Sequence, residues 1–224
     1  MNGKLIVVEG NDSSGKETQT DLLINRLRKK YKVEKTDFPQ YYDSFYGDMI
    51  ARYLRGEFGP VNQISPYLSS LLYALDRMEA KDKIINLLNQ GKIIISNRYV
   101  PSNKAYGAAK LEKKDQKKFI KWIEKLEYEK HKIPKPDLVI YLHVPVQITQ
   151  QWIETKKRRD YLEGNKKDLH EKNVDYLQKV EKIYLELCRE KNWVKIPCVL
   201  NQKVLSEEKI AQKVYKKVIK KLEL

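Results

Sequence analysis

A glycine loop near the N-terminus narrows the possible folds more than any other part of this chain. Residues 4–9 read KLIVVE, a short run of aliphatic and β-branched residues that is typical of a buried strand. Residues 10–16, GNDSSGK, follow at once and fit the pattern G-x-x-x-x-G-K. Residues 16–30 then carry apolar residues at helical spacing. We therefore predict a strand, a tight loop and a helix in that order.

This loop has the composition of a phosphate-binding site. Gly10 and Gly15 permit a backbone that curls around an anion with its amide N–H groups pointing inward. The helix that follows directs its positive end at the same point, and Lys16 adds a charge beside the outer phosphates. The motif is therefore interpreted as a P-loop that binds ATP. The predicted ATP-binding residues are Gly10, Asn11, Asp12, Ser13, Ser14, Gly15, Lys16, Glu17 and Thr18.

The position after the lysine departs from the usual pattern. Ser or Thr normally stands there and holds Mg²⁺, whereas this chain has Glu17. Thr18 is rotated by about 100° along a helix, so it should not reach the same place. A carboxylate beside a triphosphate is repelled unless a cation lies between them. Glu17 is therefore expected either to contact Mg²⁺, directly or through water, or to face solvent and stabilise the helix dipole.

Further apolar segments alternate with helical ones along the chain. Residues 92–96 and 137–144 are almost continuously apolar, as strands buried on both faces are, and residues 33–38 and 193–196 form weaker strands. Strands that alternate with helices predict a three-layer α/β/α fold, an α/β protein with a five-stranded parallel sheet. Because no repeat or linker interrupts the pattern, we predict a single domain over residues 1–224.

The longest helical pattern runs from residue 66 to residue 90 and predicts one helix. Its expected buried side carries Leu68, Leu71, Leu72, Leu75, Ile84, Leu87 and Leu88. A different composition marks residues 155–168, TKKRRDYLEGNKKD, which are basic and contain little to bury. This segment is either a mobile basic flap, here called the LID, or a solvated connection between helices.

The charge balance favours an anionic ligand. The chain carries 45 Lys and Arg against 30 Asp and Glu, a net charge of +15, but glutamates are interleaved and no RNA-binding motif accompanies the basic residues. We therefore expect nucleotides as partners and no nucleic acid. No apolar run approaches the roughly 20 residues that cross a bilayer, so we expect a cytoplasmic protein without a membrane partner. Cys188 and Cys198 stand alone and are expected to be free thiols.

The chain resembles the thymidylate kinases along nearly its whole length. The resemblance rests on five stretches: EGNDSSGKETQ at 9–19, DFPQY at 37–41, SPYLSSLLYALDRME at 65–79, SNRYVPSNKAYGAAK at 96–110, and RRDYLEGNKKDLHE at 158–171, which begins within the basic segment. It implies transfer of the γ-phosphate of ATP to dTMP, giving dTDP and ADP for dTTP synthesis, with Mg²⁺ as cofactor. It also implies a homodimer formed through the helices near residues 65–90.

The resemblance assigns roles to residues at the matching positions. Arg98 would hold the acceptor phosphate, Arg77 would bind a thymine carbonyl, Tyr73 would stack on the base and Tyr106 would crowd the sugar 2′ position. Asp12 would meet the acceptor 3′-hydroxyl or the metal. The implied dTMP-binding residues are Asp12, Phe38, Tyr41, Tyr73, Arg77, Arg98, Ser102, Asn103, Tyr106 and Glu171. The implied catalytic residues are Lys16, Arg98, Asp12, Arg158 and Arg159, with Lys167 as a lesser candidate, and the metal candidates are Asp12 and Glu17.

Simpler structural interpretations stay open for several of these side chains. Tyr73 could pack in the core of an apolar helix, and Arg77 could pair with Asp76 or Glu79 on the surface. The chain also departs from the family pattern, because Asn97 replaces an aspartate before the strand-end arginine and Gln40 replaces an arginine.

Two other functions remain compatible with the residues. One is a deoxynucleoside kinase, although Asn97 stands where its carboxylate base is expected. The other is a nucleotide-binding regulatory protein or a nucleic-acid-binding protein that kept the fold and has lost or altered its chemistry, which the unusual Glu17 and Asn97 motivate.

Overall fold

A computed structural model describes residues 3–60, 63–153 and 173–223. Five parallel strands form the central sheet in the spatial order β2-β3-β1-β4-β5. They are β1 (Lys4–Gly10), β2 (Val33–Asp37), β3 (Ile93–Asn97), β4 (Leu138–His143) and β5 (Trp193–Pro197). Each predicted strand is confirmed to within one residue at either end, and the predicted parallel sheet is confirmed.

Helices cover both faces of this sheet. They are α1 (Lys16–Leu27), α2 (Phe45–Arg55), α3 (Pro66–Glu79), α4 (Lys81–Asn89), α5 (Val100–Ala108), α6 (Lys113–Glu124), α7 (Val146–Ile153), α8 (Val174–Leu187) and α9 (Glu207–Leu222). A π-helical segment, Lys125–Lys130, continues α6. A short antiparallel hairpin, β6 (Val199–Leu200) and β7 (Lys203–Val204), precedes α9. Within the described ranges, no helix is both long and apolar enough to cross a membrane.

The alternating side chains of β1 show how the layers are built. Leu5 and Val7 belong to one buried cluster together with residues of α5, α6 and α8. Ile6 and Val8 belong to a second cluster together with residues of α1 and α9. Successive residues of a strand point to opposite faces, so a strand covered on both sides must be apolar throughout. The predicted three-layer α/β/α architecture is confirmed.

The prediction of one helix over residues 66–90 is wrong. Helix α3 ends at Glu79 and α4 begins at Lys81, and Ala80 between them lies at the edge of the right-handed helical region (φ −81°, ψ −6°). Ala80 is buried in the core, together with Ile84 of the next helix. Neither glycine nor proline marks this break, so periodicity alone continued the helix through it.

The predicted buried face of α3 is also wrong. Leu68 is 63% exposed, and Leu71, Leu72 and Leu75 are only partly buried. The buried residues of this helix are Ser69, Ser70, Ala74, Asp76 and Arg77. The inner face of α3 is therefore largely polar, which the hydrophobic effect alone would not select and which requires hydrogen-bonding partners.

The sheet brings three loops together at one edge. Strands β1 and β3 are neighbours, with Val8 paired to Asn97, and β2 lies beside β3, with Asp37 paired to Asn97. The carboxyl ends of parallel strands meet at the same edge of a sheet, where ligands of α/β proteins bind. The glycine loop, Phe38 and Arg98 therefore begin side by side.

Candidate active site

The glycine loop has the strand–loop–helix setting that was predicted. Gly15 lies at the N-terminus of α1 with φ 78°, in the left-handed region that favours glycine. A Cβ atom at Gly10 would lie 2.3 Å from Ser14 Oγ and 3.0 Å from the Leu142 carbonyl oxygen. One glycine is therefore required by its backbone angle and the other by close packing.

Polar groups line the inside of this loop. The Lys16 ammonium is buried and its Nζ donates to the Asn11 carbonyl oxygen over 2.9 Å. The Oγ atoms of Ser13 and Ser14 are buried without a hydrogen-bond partner among the described residues. Buried hydroxyls normally have a partner, so the loop is suited to receive a polar ligand such as a phosphate.

Arg98 joins the end of β3 to the glycine loop. Its backbone is left-handed (φ 64°), which is unusual for a residue other than glycine, and its amide donates to the Val8 carbonyl oxygen over 3.0 Å. Its guanidinium Nη2 forms an ion pair with Asp12 Oδ1, and Nη1 donates to Ser102 Oγ over 3.0 Å. The guanidinium is thereby held beside the phosphate-binding loop.

Tyr106 completes this polar group. Its hydroxyl donates to Asp12 Oδ2 over 2.8 Å and accepts a bond from Arg98 Nη2 over 3.3 Å. Burial raises the pKa of the Tyr106 hydroxyl well above its usual range, which keeps the proton in place for Asp12. The structure thus brings together Asp12, Arg98, Ser102 and Tyr106, four of the residues that the resemblance implies for the dTMP site.

Glu9 supports this group and was not predicted. The side chain is fully buried at the end of β1, and it accepts hydrogen bonds from the amides of Tyr99 and Ser102, over 3.0 and 3.2 Å. Its Oε2 also accepts from the hydroxyls of Ser102 and Tyr184, each over 2.7 Å. Glu9 therefore holds the first turn of α5, where Ser102 bonds Arg98. A lone glutamate near the end of an otherwise apolar strand is the signal that could have identified it.

The opposite wall of the cleft contains a buried ion pair. Arg77 of α3 is 2% exposed, and its Nε and Nη2 donate to the two oxygens of Glu127 over 2.8 and 2.5 Å. The alternative of a surface pair with Asp76 or Glu79 is therefore wrong. Asp76 instead accepts hydrogen bonds from the backbone amide and side chain of Gln40, over 3.1 and 3.3 Å.

Aromatic side chains form the apolar part of this wall. Tyr73 packs edge-to-face on Tyr53 with ring centroids 6.4 Å apart, and Tyr41 lies against the same small cluster. Phe38 is buried and packs against Tyr99 at 5.7 Å. Tyr73 is partly buried, packs against this cluster and also lines the cleft, so its position fits both core packing and a role in the site.

One cleft of about 1010 Å³ runs from the glycine loop to this wall. Its size is at the upper end of the range for sites that hold small molecules. The predicted residues that line it are Asp12, Ser13, Gly15, Lys16, Glu17, Thr18, Phe38, Tyr41, Tyr73, Arg77, Arg98, Ser102, Asn103 and Tyr106. Gly10, Asn11 and Ser14 belong to the glycine loop but do not line the cleft.

Lys110 and Tyr176 also line the cleft and were not predicted. Lys110 Nζ donates to the Tyr53 hydroxyl over 2.7 Å and to Ser69 Oγ over 3.2 Å, and burial lowers its pKa to about 8. The Tyr176 hydroxyl donates to the Tyr106 carbonyl oxygen over 2.6 Å. Nothing in their local sequence separates them from other lysines and tyrosines of this chain.

Several predicted residues lie outside the described part of the chain. They are the basic segment 155–168 with Arg158, Arg159 and Lys167, and the acidic residue Glu171. Their assignments stay predictions from the resemblance.

The described residues fit a magnesium ion that is bound mostly by nucleotide phosphates and water. Residues 3–60, 63–153 and 173–223 contain no cluster of three or more His, Cys, Asp or Glu side chains suited to hold a metal. Mg²⁺ in phosphotransferases commonly takes few protein ligands and keeps several waters. Asn97 lines the cleft, and its Oδ1 is buried with no hydrogen-bond partner in the described part of the chain, so it offers an acceptor for such a water. Glu17 is exposed on the first turn of α1.

Comparison with known proteins gives consistent matches. The family model described as Thymidylate kinase matches residues 8–210. The chain is 33% identical over 184 residues to the thymidylate kinase of Mycobacterium tuberculosis (strain H37Rv), covering 82% of this chain and 85% of that protein. It is 31% identical over 210 residues to the thymidylate kinase of Plasmodium falciparum, covering 87% and 92%.

A solved structure supports the fold. The thymidylate kinase of Candida albicans superposes with a TM-score of 0.74 at 24% identity, over 99% of this chain and 93% of that one. The Candida albicans protein is described as having broad substrate specificity.

Proposed function

This chain belongs to the thymidylate kinase family, and from that premise we propose that it transfers the γ-phosphate of ATP to dTMP, giving dTDP and ADP. The observation that carries the proposal is the position of Arg98 beside the glycine loop, with its guanidinium paired to Asp12. Arg77 lies across the same cleft, as an acceptor-base site requires.

The chemistry asks for alignment and charge neutralisation. Phosphoryl transfer passes through a loose transition state, and the acceptor phosphate is itself the nucleophile, so no general base is needed. Lys16 would hold the outer phosphates of ATP, and Arg98 would hold the acceptor phosphate with two hydrogen bonds. Mg²⁺, when bound, would neutralise charge on the phosphate oxygens. The flap residues Arg158 and Arg159 stay candidates for the remaining positive charge.

Asp12 and Tyr106 orient the arginine. Both oxygens of the Asp12 carboxylate accept hydrogen bonds, one from Arg98 and the other from Tyr106. This arrangement supports a role of Asp12 on the acceptor side more than a role as a metal ligand. Tyr106 also supplies the aromatic ring that would lie beside the sugar of the acceptor.

A coupled ADP-release assay across a panel of nucleoside monophosphates tests the proposal. We expect the highest kcat/KM with dTMP and no product from thymidine. Phosphorylation of thymidine in place of dTMP would support the deoxynucleoside kinase alternative. Loss of all turnover, together with single-stranded DNA binding that weakens steeply with salt, would support the nucleic-acid alternative.

Glu17 is proposed to stabilise α1 and not to hold the metal. It is exposed on the first turn of that helix, where a carboxylate favours the helix dipole. We expect that Glu17→Thr leaves the Mg²⁺ concentration for half-maximal activity within about twofold of the unchanged protein, and lowers stability by about 0.3–1 kcal/mol. A magnesium titration of the activity measures the first effect and thermal unfolding the second.

Asn97→Asp is the matched comparison for this titration. The substitution adds a carboxylate at a position whose side-chain oxygen is buried with no partner among the described residues, so less Mg²⁺ should be needed. A clearly raised Mg²⁺ requirement in Glu17→Thr would instead assign Glu17 to the metal.

A homodimer is proposed through α2 and α3. These helices pack on each other, and between them they expose Phe45 (73%) and Leu68 (63%). Tyr42, just before α2, is 72% exposed. Large apolar side chains that are exposed on a surface often mark a protein interface. Leu68 was predicted to be buried in the core, and a partner subunit would bury it instead.

We expect that Leu68→Arg converts the dimer into a monomer, because a charge would be buried at the interface without a partner. Light scattering coupled to size exclusion measures the mass. Leu200→Arg is the control, since Leu200 is similarly exposed (61%) but lies on the hairpin before α9. An unchanged mass for Leu68→Arg, or a monomeric unchanged protein, would contradict the proposed interface.

A further inference from the structure

The π-helical segment after α6 carries a buried carboxylate. Segment Lys125–Lys130 holds Glu127 fully buried, whereas its neighbour Glu129 is exposed. A π-helical turn changes which residues of a helix face inward, and such turns are frequent at functional sites. Glu127 is thereby directed at α3 and α5, which form one wall of the cleft.

One carboxylate binds two side chains of that wall. Glu127 accepts from Nε and Nη2 of Arg77, and its Oε1 also accepts from Nδ2 of Asn103 over 3.0 Å. The same Asn103 nitrogen donates to the Ser70 carbonyl oxygen, again over 3.0 Å. A carbonyl and a carboxylate can only accept, so the amide nitrogen of Asn103 must face them.

This network decides what the wall offers to a ligand. Both amide hydrogens of Asn103 are used within the protein, so the side chain presents its oxygen Oδ1, which only accepts. The Arg77 pair with Glu127 uses Nε and Nη2, so Nη1 is the part of the guanidinium that presents donors to the cleft. Both residues line that cleft. An acceptor beside a donor matches a pyrimidine with N3–H and a carbonyl at C4.

We propose that Glu127 is a positioning residue that sets the hydrogen-bond pattern of the base site, so that the cleft selects thymine and uracil over cytosine. The inference rests on the proposed function, because it takes a pyrimidine nucleotide as the acceptor. Cytosine has an acceptor at N3, which would face the acceptor Oδ1 of Asn103. It has an amino group at C4, which would face the donors of Arg77. A site built to hydrogen-bond one pattern discriminates strongly against the opposite one.

Glu127→Gln tests the proposal. The glutamine keeps the shape of the side chain but replaces one acceptor with a donor, which releases Asn103 to turn its amide and removes the charge beside Arg77. We expect KM for dTMP to rise about tenfold and the preference in kcat/KM for dTMP over dCMP to fall at least about tenfold. KM for ATP should stay within about twofold.

The controls separate positioning from a general loss of structure. Glu129→Gln makes the same chemical change on an exposed neighbour and should leave both the preference and KM unchanged. Glu127→Asp keeps the carboxylate and should retain more of the preference than Glu127→Gln. If Glu127→Gln does not fold, Asn103→Ala replaces it, because it deletes the oxygen that Glu127 orients and should lower the same preference.

Two outcomes would overturn the inference. The first is an unchanged preference for dTMP over dCMP in folded Glu127→Gln, or in Asn103→Ala where that variant replaces it. The second is an equal loss of activity with both nucleotides.

Calorimetric binding of dTMP and dCMP to the unchanged protein and to the variant measures the same preference without turnover. If the unchanged protein binds dTMP over dCMP but produces no dTDP, the proposed function fails while the inference on Glu127 is still decided by the binding data.

Discussion

Replacing Arg98 with alanine is expected to lower kcat by on the order of 10²-fold or more. Arg98 is the cation that β3 places beside the glycine loop, and its fixed guanidinium can bind two phosphate oxygens at once. Its loss removes positive charge from the transferring phosphoryl group. It also leaves the Asp12 carboxylate in the site without its ion-pair partner. The negative charge of Asp12 then repels an incoming phosphate.

The measurement is the steady-state rate of ADP release at saturating ATP and dTMP. Arg189→Ala is the matched control, because Arg189 is exposed after α8, away from the cleft, and its loss should leave kcat unchanged. Thermal unfolding of both variants separates a catalytic loss from a folding loss. Near-normal turnover in folded Arg98→Ala would show that Arg98 does not serve the transfer.

Replacing Lys16 with methionine is expected to lower kcat by about 10²- to 10³-fold. Lys16 is buried at the start of α1, and its Nζ bonds the Asn11 carbonyl oxygen, so the ammonium is held across the glycine loop. Methionine keeps most of the side-chain volume and removes the charge together with the N–H donors that bond the Asn11 carbonyl oxygen. Charge that develops on the outer phosphates would then lack its nearest fixed cation.

Lys29→Met serves as the control for this variant, because Lys29 is exposed just after α1. ADP release measures kcat, and binding of an ATP analogue measures whether the loop still holds the nucleotide. We expect nucleotide binding to weaken less than kcat, since the loop amides remain. Weaker nucleotide binding with an unchanged kcat would limit Lys16 to ground-state binding.

Local patterns along the chain were sufficient to predict the sheet and the phosphate loop. The strands of a doubly covered sheet must be apolar on both faces, and residues 4–9 and 92–96 show this directly. Gly10 and Gly15 were identified because a curled backbone restricts the residue type at each position. Such constraints act within a few residues, so a single sequence displays them.

The face of α3 could not be predicted in the same way. Spacing of leucines favoured Leu68 and its neighbours as core, but the buried residues include Asp76 and Arg77. A buried polar face is stable only when distant groups satisfy it, and those groups lie on the loop after β2 and on the π-helical segment. Hydrophobic periodicity contains no information about these partners.

Sequence order along the chain therefore specified the layers and the glycine loop, because backbone conformation and burial of neighbouring residues are local properties, whereas only the resemblance indicated the residues of the opposite wall of the cleft. Folding in three dimensions decided how those residues act. Arg77 and Glu127 are 50 residues apart, and Glu9 and Tyr184 are 175 apart, yet each pair shares a hydrogen bond. The low dielectric of the interior makes an unpaired charge costly, so each buried ion depends on a partner that only the packed helices bring within reach.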